Sequence, residues 1–435
     1  MRVTVMGLGR FGGGLGAARY FLDRGHDVTV TDLAPATEFA KELNLLRDLG
    51  RFREVFGEHC ASDFRLVDLV VASPAVPWDH VLLTKARKSG IQVTTELERF
   101  LELCPAKVLA VTGSNGKTTT CHLALQLLRT AGLSVRTVGN MGKSLLPEVE
   151  TLSPKDWVVA EISSFQLEVM RSNAHRRAKN LIEAALITPI TPNHLDRHET
   201  FENYRTIKAS LMSELAPQGR VIFDGGGSSG EFLNQSAAAL GLSHSDVGMA
   251  AARPWHLGLG NKIHAYNLGQ ALALAQCADA SIGPEQGQLV ADAFRGLPHR
   301  LEDLGEFSGL RFVNDSKSTT PEATAAALSA FRGPVALIAG GYDKGLDPGP
   351  LLKAAVLAQR VDLIGQTGPK LARALESLGV PLGLHDSLQG AFAGALAAAS
   401  RPGVLLLSPG HASYGMWRDY RARGDEFRRL LQALL

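Results

Sequence analysis

The stretch that decides the fold is Lys107-Val108-Leu109-Ala110-Val111-Thr112-Gly113-Ser114-Asn115-Gly116-Lys117-Thr118-Thr119. An apolar run, a glycine-containing turn and a helical pattern over Cys121 to Leu128 predict a strand, a loop and a helix. Such a loop turns backbone N–H groups toward phosphate oxygens, and the helix N-terminus adds partial positive charge. The pattern therefore predicts a site for a nucleoside triphosphate, formed by Gly113, Ser114, Asn115, Gly116, Lys117, Thr118 and Thr119.

The loop is a shortened form of the general phosphate-loop pattern G-x-x-x-x-G-K-[ST]. That pattern requires a glycine at position 111, where this chain has Val111. Lys117 is expected to neutralise the outer phosphates, and Thr118 is expected to offer its hydroxyl to Mg²⁺. The missing first glycine narrows the class of enzyme without weakening the prediction of triphosphate binding.

Length and composition indicate an ordinary globular enzyme of about three domains. The chain has 435 residues, 45% of them hydrophobic, and a formal net charge of +2. No basic block favours nucleic acid, and no long apolar run favours a membrane. The four scattered cysteines form no zinc or disulfide pattern. We therefore expect a cytoplasmic enzyme, without nucleic-acid or membrane partners.

A second glycine turn lies near the start of the chain. The strand Val3 to Met6 precedes Gly7-Leu8-Gly9-Arg10-Phe11-Gly12, and Asp32 follows about twenty residues later. This spacing suits the diphosphate of NAD or of a UDP-linked ligand, and a purely structural turn has the same pattern. Ser73 follows the apolar strand Leu69 to Ala72, at the edge where open α/β sheets bind ligands. The candidate binding residues are Gly9, Arg10, Phe11, Gly12, Asp32 and Ser73.

Polar clusters follow two further strands. Glu161 ends the run from Trp157 and is the expected partner of Thr118 at Mg²⁺. His194, after the strand Ala184 to Ile187, suits either a metal site or a solvated loop. Tyr204 and Lys208 share a helix face, and such a lysine is usually exposed to solvent. Gly225 to Gly230 is expected to form a flexible surface loop.

The last third of the chain repeats the alternation of strand and turn. Predicted strands at 311–313, 335–339, 361–364 and 404–407 are each followed by a polar or glycine-rich turn. Lysines and hydroxyls in these turns are suited to a carboxylate ligand. The candidate residues for an anionic small molecule are Lys317, Thr319, Lys344 and Ser413.

Together these motifs resemble the Mur ligases, the ATP-dependent amide-forming enzymes of peptidoglycan synthesis. The resemblance covers the whole chain, and Ser163-Ser164-Phe165-Gln166-Leu167 is most similar to the D-glutamate-adding member. It implies three α/β domains: a Rossmann-like UDP-binding domain at 1–95, a central P-loop ATPase-like domain at 96–297 and a Rossmann-like glutamate-binding domain at 298–435. It also implies ATP, UDP-N-acetylmuramoyl-L-alanine and D-glutamate as substrates, an acyl-phosphate intermediate, two Mg²⁺ ions and a monomer.

The same resemblance implies roles for individual residues. Lys117, His194 and Lys208 are the implied catalytic residues, with Thr118 and Glu161 at one Mg²⁺ and His194 and a carbamate on Lys208 at the second. Asn140, Ser163 and Gln166 are implied to face the muramoyl substrate. The implied contacts with the adenine, phosphates and ribose of ATP are Asn267, Arg300 and Asp315. The implied glutamate site contains Lys317, Thr319, Lys344, Ser413 and Tyr420.

Several alternatives remain open from the residues alone. Within the ligases these are a folylpolyglutamate synthase and an L-glutamate-specific muramoyl ligase. Outside them they are a nicotinamide dehydrogenase built on the first glycine turn and a non-catalytic nucleotide-binding protein. The run Ile263-His264-Ala265-Tyr266-Asn267 matches the family pattern only at its last asparagine, so contacts with adenine are expected to differ in detail.

Overall fold

Three mainly parallel β-sheets follow one another along the chain in the computed structural model, which describes residues 1–9, 12–139, 144, 146–173, 182–248 and 261–434. The predicted α/β class is confirmed. Arg10, Phe11 and Asn140, three of the candidate binding residues, lie outside the described residues.

The first sheet has five parallel strands in the order β3-β2-β1-β4-β5. Helix α1 begins directly after the first glycine turn, and its buried face packs on the sheet. The strands are β1 (Arg2–Met6), β2 (Asp27–Asp32), β3 (Arg53–Phe56), β4 (Leu69–Ala72) and β5 (Gln92–Thr94), and the helices are α1 (Gly13–Leu22), α2 (Ala40–Arg47), α3 (Val81–Lys88) and α4 (Glu96–Leu103).

The second sheet has six parallel strands in the order β11-β10-β9-β6-β8-β7. Its strands are β6 (Lys107–Thr112), β7 (Val135–Gly139), β8 (Trp157–Glu161), β9 (Ile182–Ile187), β10 (Leu215–Phe223) and β11 (His244–Asp246). Its helices are α5 (Lys117–Thr130), α6 (Ser164–Ser172), α7 (Leu195–His198), α8 (Phe201–Ala209) and α9 (Gly227–Ala239). Helices α10 (Asn261–Gln276) and α11 (Pro284–Ala293) follow along the chain. The carboxyl ends of β6, β8 and β9 therefore meet at one edge.

The third sheet has the order β12-β13-β17-β14-β15-β16, parallel except for the β12–β13 pair. Its strands are β12 (Glu302–Phe307), β13 (Leu310–Asn314), β14 (Val335–Gly340), β15 (Arg360–Ile364), β16 (Leu382–His385) and β17 (Gly403–Leu407). Its helices are α12 (Pro321–Ser329), α13 (Gly349–Ala355), α14 (Gly368–Ser377), α15 (Leu388–Ala398) and α16 (Tyr420–Gln432). The strands predicted in this region are the inner strands of the sheet.

The chain forms two compact units, although it contains three sheets. One unit comprises Met1–Ala251 with Gly269–Gly287, and the other comprises Ala252–Leu268 with Gln288–Leu435. In the first unit, buried side chains of the first and second sheets belong to one hydrophobic cluster. The three-domain boundaries drawn from the sequence therefore stay a prediction.

The glycine-rich stretch at 225–230 is a correction to the sequence analysis. Instead of a flexible loop over its whole length, the structure has helix α9 beginning at Gly227. A Cβ atom at Gly230 would lie 2.2 Å from the carbonyl carbon of Gly225, so glycine allows this close backbone approach. The side chains of Leu233 and Ala237 are buried and pack the helix against the hydrophobic core. Packing therefore orders a segment whose composition is typical of a flexible loop.

Within the described residues, no helix combines the length and the hydrophobicity that crossing a lipid bilayer requires.

Candidate functional site

The phosphate-loop motif forms the predicted strand, turn and helix. Val111 is a fully buried residue of β6, paired with Glu161 on β8 and Leu186 on β9, so the turn begins only after Thr112. Gly113 has φ +132°, and a Cβ atom there would lie 2.0 Å from Thr188 Oγ1. The position that carries the first glycine of the longer motif is thus part of the sheet core, and the loop itself is shorter.

The turn is held by the segment that follows β9. Ser114 Oγ donates to the Thr191 carbonyl over 2.8 Å and accepts from the Thr191 amide over 2.9 Å. Thr188 Oγ1 donates to the Asn115 carbonyl over 2.6 Å. Lys117 Nζ donates to the carbonyls of Gly113 and Ser114, both over 2.8 Å. The loop is therefore braced by hydrogen bonds within the protein, and its lysine lies across it.

Thr118 and Glu161, the pair predicted for Mg²⁺, are brought together by the fold. Thr118 Oγ1 donates to Glu161 Oε2 over 2.7 Å, and Glu161 is almost completely buried at the end of β8. A hydroxyl beside a carboxylate next to a phosphate loop supplies the oxygen ligands that Mg²⁺ prefers. The residues present therefore fit a magnesium ion.

Lys208 is buried, which corrects the expectation of solvent exposure. Only 1% of its surface is accessible, and Nζ donates to Thr112 Oγ1 over 3.0 Å. Burial is the main cause that lowers the pKa of Lys208 well below its usual value. The positive charge of Lys117 lowers this pKa further, and the negative charge of Glu161 raises it. Nζ also lies 5.5 Å from the centroid of the Tyr204 ring, as expected for residues on one helix face. A lowered pKa favours the neutral form of an amine, which is the form that reacts with carbon dioxide.

His194 precedes helix α7 in a left-handed backbone conformation, with φ +54°. Its ring makes an edge contact with Phe165 at 5.1 Å between centroids. Among the described residues, no three His, Cys, Asp or Glu side chains converge as a metal-binding group. The assignment of His194 to a second Mg²⁺ stays a prediction.

Ser163 and Gln166 form the N-terminal cap of helix α6. Ser163 Oγ accepts from the Gln166 amide over 3.2 Å, and the Ser163 amide donates to Gln166 Oε1 over 2.8 Å. This reciprocal capping box places both residues just past the end of β8, beside Glu161. The predicted contacts of Ser163 and Gln166 with the muramoyl substrate would therefore be made at the turn between β8 and α6.

Asp32 supports the first glycine turn from within the protein. Its Oδ2 accepts from the Leu8 amide over 2.9 Å, and its Oδ1 accepts from the Ala34 amide over 3.0 Å. Gly9 and Gly12 both have positive φ, as a tight ligand-binding turn requires. Ser73 lies at the end of β4, where its amide donates to the Met6 carbonyl over 2.8 Å. The candidate residues of the first sheet that the structure describes therefore meet at one edge.

The turns predicted in the last third of the chain also meet at one edge. The Gly410 amide donates to the Ser318 carbonyl over 2.9 Å, and the Tyr342 amide donates to the Ala412 carbonyl over 2.8 Å. These bonds join the turns after β13, β14 and β17. Ser413 is buried and Thr319 is half-buried in them.

Two lysines of these turns lie over tyrosine rings. Lys317 Nζ is 4.0 Å from the centroid of Tyr420, and Lys344 Nζ is 5.8 Å from that of Tyr414. Lys344 is exposed to solvent, whereas Lys317 is half-buried. Ammonium groups over aromatic faces are of a kind suited to a carboxylate ligand.

The residues predicted to contact ATP outside the loop are Asn267, Arg300 and Asp315. Asn267 is buried in α10, and Arg300 is half-buried before β12. Asp315 is buried after β13, where it accepts from the Leu301 amide over 3.0 Å and from Ser408 Oγ over 2.8 Å. Burial raises the pKa of Asp315 to about 6, although these hydrogen bonds oppose the shift. In the structure, Asp315 thus links the segment before β12 to the turn after β17.

The sequence analysis missed a buried arginine at the third-sheet edge. Arg423 of α16 has no accessible surface and donates to Ser316 Oγ over 3.0 Å, to the Ser316 carbonyl over 2.8 Å and to the His411 carbonyl over 3.0 Å. It thus joins the turns after β13 and β17. Its place in an amphipathic helix gives no sign of this role, because only the tertiary fold brings both turns to it.

Comparison with known proteins matches two parts of the chain to family models. Residues 1–95 match the Mur ligase MurD-like N-terminal domain, and residues 111–282 match the Mur ligase middle domain. Among solved structures, MurC of Thermotoga maritima is 18% identical with a TM-score of 0.60, each chain covered completely. MurF ligase of Thermotoga maritima in complex with ADP is 14% identical with a TM-score of 0.64, over 94% of this chain and 96% of that one. These structures share the fold.

Curated relatives are similar over their whole length. The UDP-N-acetylmuramoylalanine–D-glutamate ligase of Roseiflexus sp. is 36% identical, covering 99% of this chain and 98% of the relative. The enzyme of the same name from Caldanaerobacter subterraneus subsp. tengcongensis is 33% identical, covering 100% of this chain and 98% of the relative. With its phosphate loop, its Thr118–Glu161 pair and these full-length relatives, the chain belongs to the Mur ligase family.

Proposed function

We propose that the chain is an ATP-dependent ligase that joins D-glutamate to UDP-N-acetylmuramoyl-L-alanine. The observation that carries this proposal is the cluster of Lys117, Thr118, Glu161 and buried Lys208 at one edge of the second sheet. It is suited to transfer of a phosphoryl group from ATP. The substrates are proposed from the names of the curated relatives, which add D-glutamate to UDP-N-acetylmuramoylalanine.

The reaction has two chemical steps. The γ-phosphoryl group of ATP is transferred to the carboxylate of the muramoyl substrate, giving ADP and an acyl phosphate. The neutral amino group of glutamate then attacks the acyl carbon, phosphate leaves with the bonding electrons of the C–O bond, and the nitrogen loses one proton as the amide forms. Such chemistry depends mainly on positioning and on neutralising phosphate charge.

The side chains of the second sheet have defined tasks in this scheme. Lys117 leaves the carbonyls of Gly113 and Ser114 and pairs with the transferred phosphoryl group. Thr118 and Glu161 would hold Mg²⁺, which supplies positive charge to the phosphate oxygens when bound. Lys208, whose pKa is lowered by burial, is proposed to carry a carbamate that serves a second Mg²⁺ with His194.

The third-sheet edge is proposed to receive D-glutamate. Lys344 and Lys317 supply charges for its carboxylates, while Ser413 and Thr319 supply hydroxyl groups. The two ammonium groups lie over the rings of Tyr420 and Tyr414, and this contact with an aromatic face supports their proposed role in holding an anion. Asn267, Arg300 and Asp315 remain proposed contacts of ATP, and a monomer in the cytoplasm remains the expected form.

The decisive experiment measures phosphate release and product mass with each glutamate enantiomer. Purified chain, ATP, Mg²⁺ and UDP-N-acetylmuramoyl-L-alanine are expected to give phosphate and the amide product with D-glutamate only. Equal turnover with L-glutamate would contradict the stereochemical assignment. Phosphate release that does not depend on the muramoyl substrate would contradict the ligase assignment.

A further inference from the structure

A guanidinium group connects the first two sheets at their ligand-binding edges. Arg197, in α7, pairs with Glu168 of α6 through two bonds, Nε to Oε2 over 3.0 Å and Nη2 to Oε1 over 3.2 Å. Its Nη1 donates to the Ala75 carbonyl over 2.9 Å, and its Cζ lies 4.5 Å from the centroid of the Phe165 ring. Only 13% of the Arg197 side chain is accessible.

These contacts join α7, which carries Arg197, to two other segments. Ala75 lies in the turn that follows β4 of the first sheet, two residues after Ser73. Glu168 and Phe165 lie in α6, which begins beside Glu161 in the second sheet. The planar fork of arginine can make a bidentate pair, a carbonyl bond and a ring contact together, which an ammonium group cannot.

Phe165 extends the cluster to the proposed metal ligand. The ring that contacts the Arg197 guanidinium also contacts His194, at 5.1 Å between centroids. His194 has a left-handed backbone conformation, and its carbonyl accepts from the Arg197 amide over 3.1 Å. Arg197 therefore contacts, directly or through one ring, both the turn after β4 and His194.

Other bonds between the two sheets involve different segments. Asn173, after α6, donates to the Val93 carbonyl and to Glu98 Oε1, both over 3.2 Å. Glu96 accepts from Ser144 Oγ. These bonds use β5 and α4 and do not involve the turn after β4. They can hold the sheets together when Arg197 is replaced, so its role can be tested in a folded protein.

We propose that Arg197 is a positioning residue that fixes the turn after β4 against His194, and thereby aligns the carboxylate of the muramoyl substrate with the phosphate loop. This inference rests on the proposed ligase function. A substrate bound along the first-sheet edge must extend to the second-sheet edge for its carboxylate to meet the phosphoryl group. Arg197 contacts the protein on both sides of that path.

The test is a kinetic comparison of Arg197→Met with the parent chain. The KM for UDP-N-acetylmuramoyl-L-alanine is expected to rise about tenfold or more, because the turn after β4 that would bind this substrate loses its bond to Arg197 and must be ordered on binding. The KM for ATP is expected to change less than about twofold, because the phosphate loop is braced by separate bonds. Glu168→Gln keeps the Ala75 bond and the ring contact, so its effect is expected to be smaller.

Arg47→Met is a matched control. Arg47 also makes a bidentate pair, with Glu54 over 2.8 and 2.7 Å, but 51% of its side chain is accessible and it lies in α2. This variant is expected to keep the parent kinetics. Thermal unfolding of each variant shows whether it is folded, and Arg197→Lys provides the same comparison if Arg197→Met does not fold.

Two outcomes would overturn the role of Arg197. One is a folded variant with the parent KM for the muramoyl substrate, and the other is an equal change in both KM values. A parent chain that forms no amide with D-glutamate would contradict the proposed function instead, so the two failures are distinguishable.

Discussion

The ligand edges of the second and third sheets hold their lysines in opposite ways. Lys208 is buried beneath the phosphate loop, and Lys117 is folded onto loop carbonyls. Lys344 at the third sheet is exposed, and Lys317 is half-buried on a tyrosine ring. The proposed phosphate chemistry would thus use one buried and one half-buried amine, whereas the proposed glutamate site would present one charge at the surface. Replacing a lysine should therefore affect turnover at one edge and affinity at the other.

The largest effect is expected for Lys117→Ala. Loss of the only loop cation should lower kcat about 1,000-fold, because charge neutralisation is a main contribution to phosphoryl transfer. Phosphate release under saturating substrates measures this. Lys107→Ala is the control, since Lys107 lies at the opposite end of β6 over the Trp157 ring. Parent turnover in Lys117→Ala would show that the loop does not bind the transferred phosphate.

Lys208→Met should lower kcat about 100-fold while keeping the helix face filled. The free energy of unfolding should rise by about 1 kcal/mol in carbon-dioxide-free buffer, because a buried amine is replaced by an apolar side chain. Activity assays and urea denaturation measure the two effects. In the parent, removal of carbon dioxide should reversibly reduce activity, and unchanged activity would argue against a carbamate.

Lys344→Met should raise the KM for D-glutamate about tenfold, with kcat and the melting temperature nearly unchanged. The reason is that Lys344 is exposed, and its charge is proposed to contribute to binding of the substrate and not to the chemical step. Lys353→Met, at an exposed position of α13, is the matched control. A fall in kcat without a change in KM would place Lys344 with the phosphate-loop residues and remove the contrast between the edges.

Besides weakening the proposed contact with ATP, Asp315→Asn is expected to reduce the pH dependence of stability. The pKa of Asp315 is about 6 in the folded chain against 3.8 ordinarily, so the folded state binds its proton more tightly. This group therefore contributes stability fully below about pH 4 and loses it as the pH rises through about 6. Denaturation from pH 4 to 7 should show a smaller decline in the variant than in the parent. Asp386→Asn, on an exposed residue after β16, controls for the loss of a carboxylate.

The predicted strands were inner strands, and the strands that were missed were mainly edges. Continuous apolar runs identified β1, β4, β6, β8 and β9, whose residues are mostly buried. All six edge strands were missed, together with the inner strand β10. Strands β11 and β12 show why, because most or all of their residues are exposed or half-buried. Because an edge strand buries less of its surface, it needs fewer apolar residues, and the pattern of apolar residues in the sequence does not identify it.

By itself, the sequence determined the α/β class, the phosphate loop, and the polar turns at the strand ends, because each depends on residues close together in the chain. Its resemblance to the Mur ligases indicated the reaction. Only the tertiary structure decided that Lys208 is buried against Thr112, that Val111 belongs to the sheet core, and that Arg423 and Arg197 each join separate segments. Burial and charge pairing depend on residues far apart in the sequence, and those contacts form only when the sheets are assembled.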